Sequence, residues 1–479
     1  MKALLKVLIT VLVLIAAVAA TYLLYARPVV TGYAAKHMCS GLWVGQLPEQ
    51  WLRDKAIAPA LQPASSWLGY DIDYQAHRVS VSFLGYQQVA QWRGHKLTEI
   101  QGEKHSDSIN LNLGCVLLDQ YGSEVVPNGK TEVRASLTAD AEDAMTPVDT
   151  DSTSDAAAEQ TSAISASHQD QLAQLIDEAF RESGNSPRNT LALVVSHKGN
   201  VIAERYAEPV QAETSMLGWS MSKSLLPTWV AIQEHQEQRE INPKINDNWA
   251  WLSSHMTLEH LLRMESGLDF SEWYQPGDDV TSMLYLQGNM ASFVASKPWG
   301  NPGTSWAYSS GDSNLASFEW KRQLPSDWRH WLVRNVWQPL GITSAVVETD
   351  QSDTPVMSSY THMTPADWQK VGQLWLDGWH NRSPLFPADW MKQATRPSDV
   401  HQLGLYGEGF WLNRGSDSRP PKWPELPRSV FWARGHEGQY VLVAPEQELV
   451  VVRFGLTPGD NDGLDTLVAG LIDVLNQVE

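Results

Sequence analysis

A serine three residues ahead of a lysine can form a nucleophile and its base. Ser220 and Lys223, in Trp219-Ser220-Met221-Ser222-Lys223-Ser224-Leu225, make the only Ser-x-x-Lys in the 479 residues. An apolar stretch from Leu226 to Ile232 follows and predicts a helix, on which positions three apart share a face. A free hydroxyl is a poor nucleophile, but a desolvated, partly deprotonated amine beside it can take its proton. The helix N-terminus would also offer backbone N–H groups to a developing oxyanion. Alone the motif is weak. One match arises by chance in a chain this long, and a helix cap with a surface lysine has the same pattern.

Three further segments change its weight. Thr257-Leu258-Glu259-His260-Leu261-Leu262-Arg263-Met264-Glu265-Ser266-Gly267-Leu268 comes some forty residues on. Pro302-Gly303-Thr304-Ser305-Trp306-Ala307-Tyr308-Ser309-Ser310-Gly311-Asp312 follows, and Arg434-Gly435-His436-Glu437-Gly438-Gln439 sits between two strand-like runs. In this order and spacing, residues 169–479 resemble the serine β-lactamase-related family, which includes class C β-lactamases, DD-peptidases and related esterases. The stretches around Ser220 and Tyr308, with Cys39-Ser40 and Gly114-Cys115 ahead of them, are similar to the 6-aminohexanoate-dimer hydrolase type and its longer membrane-attached relatives.

The resemblance implies amide or ester hydrolysis through an acyl-enzyme. Ser220 would attack, Lys223 would accept its proton, and Tyr308 would relay that proton to the leaving group. The oxyanion hole would be the N–H groups of Ser220 and of Gln439, the residue after Gly438. Ser310 stands where β-lactamases usually carry an Asn that grips a substrate amide. His436-Glu437-Gly438 stands where they usually carry Lys-Thr-Gly, so β-lactam turnover is not expected. His436 reads as a donor at the cleft edge completing the Ser–Lys–Tyr network, or as a histidine bonded to backbone; Tyr308 has the alternative of a core tyrosine. Trp219, Trp273, Trp299 and Trp306 flank the motifs as candidate walls of an apolar acyl pocket, or as core. No His-Glu-x-x-His, cysteine cluster, P-loop or Gly-x-Ser-x-Gly occurs, so no metal or cofactor is implied. The competing reading is a non-catalytic module of the same fold that binds cell-wall peptide or a protein partner.

The elements that must position these residues divide the chain into several parts. Lys2 and Lys6 precede an uncharged run from Val7 to Ala26, whose twenty residues at 1.5 Å each just span a bilayer core of ~30 Å. Residues 1–26 are therefore expected as an uncleaved anchor, with a signal peptide cut near Ala17-Val18-Ala19 as the rival. The lysines should stay cytoplasmic, which gives one span in the inner membrane and a periplasmic catalytic domain. Residues 27–130 predict a small β or mixed domain, with strands at Val79–Phe83 and Ile109–Leu113 and a candidate Cys39–Cys115 disulfide. Residues 131–168, acidic and poor in apolar side chains, read as a flexible linker.

From 169 onward the pattern is α+β. A helical stripe (Leu172, Leu175, Ile176, Phe180) leads into strands at Thr190–Ser196 and Val201–Tyr206. Strands at Ser429–Ala433, Tyr440–Val443 and Leu449–Phe454 precede a closing helix from Leu464 to Leu475. This predicts one antiparallel sheet built from both ends of the domain, flanked by helices. Fifty-five acidic against 35 basic residues, a net charge of −20, argue against nucleic acid as a partner. The expected partners are a small-molecule amide or ester and, through the N-terminal helix, the membrane.

Overall fold

Twenty apolar residues make a helix wherever water cannot compete for the backbone, and here the helix runs past them. The structure, a computed structural model, describes residues 2–101, 106–118, 166–182, 187–245, 249, 252–324, 327–401 and 403–477. Helix α1 (Lys2–Trp43) is unbroken. Its side chains are almost all exposed from Leu4 to Tyr25 and mostly buried from Ala26 onward. Pro28 inside the helix cannot donate to the carbonyl of Leu24, and the Arg27 Nε takes that acceptor at 2.9 Å. The expected boundary at residue 26 is thus a change of surroundings, not of structure.

The buried half of α1 packs on a four-stranded antiparallel sheet of order β1-β2-β3-β6, from β1 (Gly69–Asp73), β2 (Arg78–Phe83), β3 (Tyr86–Trp92) and β6 (Cys115–Leu117). A hairpin of β4 (His95–Gln101) and β5 (Ser106–Asn112) extends from it. Cys39 on α1 is bonded to Cys115 on β6, with Cα atoms 6.1 Å apart, so the disulfide ties helix to sheet. Residues 131–165 of the expected linker lie outside the described residues. Its last residues, from Ala166, already belong to α2 (Ala166–Ala179).

The catalytic-type domain is built as its alternation predicts. Strands β7 (Thr190–His197) and β8 (Asn200–Tyr206) come from its start. Far along the chain follow β12 (Trp411–Leu412), β13 (Phe431–Gly435), β14 (Gln439–Ala444) and β15 (Leu449–Gly455). Together they form an antiparallel sheet of order β12-β13-β14-β15-β7-β8. Both faces are covered, so Leu449-Val450-Val451-Val452 reads as a continuous apolar run while its members alternate between two cores. Val441, Val443, Val450 and Val452 face the helical side. Leu442, Leu449 and Val451 face α2 and the closing helix.

Between the two halves of the sheet lie β9 (Met216–Leu217), α3 (Ser222–Glu237), α4 (Asp279–Leu286), α5 (Ser310–Arg322), β10 (Val346–Val347), β11 (Thr361–Met363) and α6 (Pro365–Trp379). The chain closes with α7 (Leu464–Asn476). A small sheet of order β10-β11-β9 delivers the chain to the turn that holds Ser220. Lys36 on α1 is buried against Glu348, which follows β10, and His362 on β11 lies 3.2 Å from the same carboxylate. Burial pushes the Glu348 carboxyl up, but Lys36 and His362 outweigh it and hold it below the usual carboxylate range.

Candidate active site

Ser220 lies in the single turn Trp219–Met221 that leads into α3. The approach is tight. The Gly218 N–H donates to the Thr361 carbonyl at 2.8 Å, and a Cβ at Gly218 would stand 2.4 Å from the Trp368 ring. Trp219 then takes φ +50°, a left-handed conformation that costs a non-glycine residue about 1–3 kcal/mol and persists only where the surroundings impose it. Those surroundings are the His37 ring of α1, 4.7 Å away, and the His436 ring, 5.4 Å away.

Lys223 is buried, and its three N–H donors meet three acceptors, each at 3.0 Å: Ser220 Oγ, Ser310 Oγ and the Ser358 carbonyl. Burial lowers its pKa to about 8, with Glu272 pulling it back up. About a tenth of the amine is therefore free at pH 7 and half near pH 8, and Ser220 is the acceptor that can become a donor to it.

Tyr308 places its ring 4.8 Å below the Lys223 ammonium, against Trp411 at 5.3 Å. Burial raises its phenol above the ordinary value; the Ser220 hydroxyl draws it down, Glu272 raises it, and Arg434 lowers it. The "SGL" segment holds this loop. The Gly267 carbonyl accepts from Gly300 N–H at 2.7 Å, Ser266 Oγ donates to Asp312 at 2.7 Å, and Met264 O accepts from Ala307 N–H at 3.1 Å. Gly267 has φ +76°, and a Cβ there would come within 3.0 Å of the Gly300 backbone, so this glycine is required by both turn and packing.

Sequence reasoning missed Glu272. Its carboxylate accepts the Ser310 N–H at 3.1 Å and the Ser310 hydroxyl, which in turn accepts from Lys223. Burial raises the Glu272 pKa, with Lys223 and Ser310 opposing it. Ser310 is thus a link between lysine and carboxylate. Its neighbourhood in sequence, Ser271-Glu272-Trp273-Tyr274, carries no periodic signal that could have singled the glutamate out.

A cleft of about 850 Å³ is lined by Ser220, Tyr274, Tyr308, Trp411, Arg434 and His436, among others. None of the four tryptophans expected as pocket walls lines it; Trp219, within the nucleophile turn, is buried against His37 and His436, and Trp306 stacks on His401 at 3.8 Å. Trp51, Asp54, Lys55, Pro59 and Ala60 of the N-terminal unit line it as well.

His436, Glu437 and Gly438 form the turn between β13 and β14, with φ +60° at Glu437 and +82° at Gly438. His436 stands at the cleft edge as expected, but it packs on the rings of Trp219 and Tyr274 and makes no hydrogen bond to Ser220, Lys223 or Tyr308 among the described residues. Gln439 and Gly438 lie off the cleft. Gln439 is buried and pairs with Gly435, and its side chain clamps the turn through His436 O at 2.8 Å and Gly455 O at 2.7 Å. Gly438 O instead accepts from Arg453.

Solved structures share this fold. A protein assigned as a 6-aminohexanoate-dimer hydrolase from Bacillus anthracis aligns with TM-score 0.50 and 17% identity, over 64% of this chain and 81% of its own. A penicillin-binding protein homologue from Caulobacter crescentus aligns with TM-score 0.50 and 14% identity, over 65% of this chain and 98% of its own. No curated protein matches the chain. The Beta-lactamase family model matches residues 175–468, which hold the Ser-x-x-Lys turn, the Tyr308 loop and the β13–β14 edge, and the chain belongs to that family.

Proposed function

We propose that the protein is a membrane-anchored serine hydrolase that cleaves an amide or ester bond through an acyl-enzyme on Ser220. The observation that carries this is the buried, three-coordinated Lys223, depressed to about 8 and 3.0 Å from the Ser220 hydroxyl. Ser220 Oγ attacks the carbonyl carbon while its proton passes to Lys223 Nζ. The tetrahedral intermediate then collapses, and the leaving nitrogen or oxygen takes a proton from Tyr308, which Lys223 replenishes. Water repeats the sequence on the acyl-serine and releases the acid.

The second oxyanion donor is the N–H of His436, not of Gln439. Asn413 N–H donates to Val430 O at 3.0 Å, so Val430 faces the β12 edge of β13. Peptide groups alternate along a strand, which turns Trp432 and Arg434 to that same edge; His436 follows in the turn that lines the cleft, whereas Gln439 pairs inward with Gly435. The Ser220 N–H is the first donor.

The anchor reading is supported by the continuity of α1, in which a cut near Ala19 would fall mid-helix. With the span in the inner membrane, the catalytic domain faces the periplasm. Fluorophosphonate labelling followed by peptide mass mapping tests the chemistry. Ser220 should carry the adduct, and Ser220→Ala and Lys223→Ala should each abolish ester hydrolysis, since nucleophile and base act as a unit. An adduct on Ser222 or Ser310 with Ser220 unmodified would overturn the assignment.

A further inference from the structure

Three segments distant in sequence gather where the exposed run of α1 ends. Leu23 packs with Leu61, Ala64, Leu68 and Phe83 of the N-terminal unit. Arg27 donates to the carbonyl of Leu84, in the turn between β2 and β3, at 2.8 Å. Gly277 lies against Tyr25 so closely that a Cβ would stand 2.2 Å from the Tyr25 hydroxyl. In these same segments the protein leaves large apolar side chains in solvent: Trp67, next to Leu68, is 59% exposed, Leu84 48%, and Trp273, four residues before Gly277, 81%. Single exposed aromatics are ordinary, but these belong to segments that touch α1 at Leu23, Tyr25 and Arg27, where its exposed apolar run from Leu4 to Tyr25 ends. Tryptophans at the level where a span leaves the hydrocarbon are suited to the membrane interface, with an apolar body and a polar N–H.

The same segments wall the cleft. Pro59 and Ala60 precede the Leu61–Leu68 stretch, Tyr274 adjoins Trp273, and all three line the cavity that contains Ser220 and Tyr308. From Ala26, where burial begins, to His37, which touches Trp219, α1 climbs eleven residues, or about 16 Å at 1.5 Å per residue. The polar zone of a bilayer is about 5–7 Å thick on each side. With Ala26 at the hydrocarbon edge and α1 along the bilayer normal, the nucleophile would stand roughly one headgroup layer plus about 10 Å from the hydrocarbon.

We propose that this enzyme draws its substrate from the bilayer: an amphiphile whose apolar chain enters between the Trp67 and Trp273 segments and whose ester or amide bond, at its polar end, reaches Ser220. The inference rests on the hydrolase and anchor readings above and adds the substrate class.

The test uses the full chain reconstituted in phosphatidylcholine vesicles, with p-nitrophenyl butyrate as the soluble ester and p-nitrophenyl laurate as the membrane-borne one. Because even one methylene in an apolar site is worth roughly tenfold, kcat/KM for laurate should exceed that for butyrate by at least about tenfold. Trp67→Ser with Trp273→Ser should reduce that ratio several-fold, and Trp67→Leu with Trp273→Leu should restore most of it. Equal or better turnover of butyrate by protein that labels at Ser220, or a ratio indifferent to both pairs of substitutions, would overturn the proposal. Absence of both turnover and label would overturn it together with the hydrolase reading, and the missing label is the signature that separates the two failures.

Discussion

Lys223 should impose its titration on the rate, because only the free amine can take the Ser220 proton. With its pKa lowered to about 8, kcat/KM should rise with pH and reach half its plateau near pH 8; a flat profile between pH 6 and 9 would contradict the assignment. The Glu272 charge favours the ammonium form. Glu272→Gln should therefore shift the midpoint to lower pH, whereas a merely structural role would lower the plateau and leave the midpoint in place. Tyr308, raised above its ordinary value, remains a proton donor across this range, so Tyr308→Phe should reduce the plateau by roughly 10²–10⁴-fold without moving the midpoint. Ser220, Lys223 and Tyr308 were legible because their motifs have fixed spacing and a resembling family. Glu272 was not, because a loop and not a helical or strand period brings it to Ser310. Which peptide of the β13–β14 turn faces the cleft was not legible, since a motif match fixes residues and not the direction of their N–H groups.

At the scale of elements, five strands of the six-stranded sheet were legible from alternation to within about two residues, and the two-residue edge strand β12 was not, being too short to show a period. The extent of α1 was not. Its buried half carries Arg27, Lys36 and His37, which read as polar until their partners, remote in sequence, are in view. The disulfide was readable from the cysteine count and compartment, and the structure adds that it fastens this half of α1 to β6. Cys39→Ala with Cys115→Ala should cost about 2–5 kcal/mol in denaturant unfolding of the detergent-solubilised protein. Unchanged unfolding, with maleimide reacting at two thiols in denatured wild type before reduction, would show that the bridge is not formed.

At the scale of the whole molecule, the N-terminal unit is part of the candidate site's wall. It supplies one wall of the cleft, and through His37 it presses on the residue ahead of the nucleophile. Lys36→Met would leave Glu348 buried with a reduced set of partners, and removing one member of a buried pair costs about 3–5 kcal/mol. Thermal unfolding should record that loss as a lower Tm. A variant as stable as wild type would mean that α1 is held by apolar packing alone. Composition could announce the unit but not this role, because its contacts cross the whole domain.

The Lys36–Glu348 pair spans 312 residues of chain. At 5–20 residues per second, synthesis leaves Lys36 without its counter-charge for roughly 15–60 s after it emerges. The Cys39–Cys115 bridge needs only the first quarter of the chain, yet the Cys115 N–H also waits for Glu348, which accepts it at 2.6 Å. The amino-terminal unit is thus assembled first and completed last. Until then its helix carries an unpaired cation on a face meant for burial, a condition in which a chaperone would find its client.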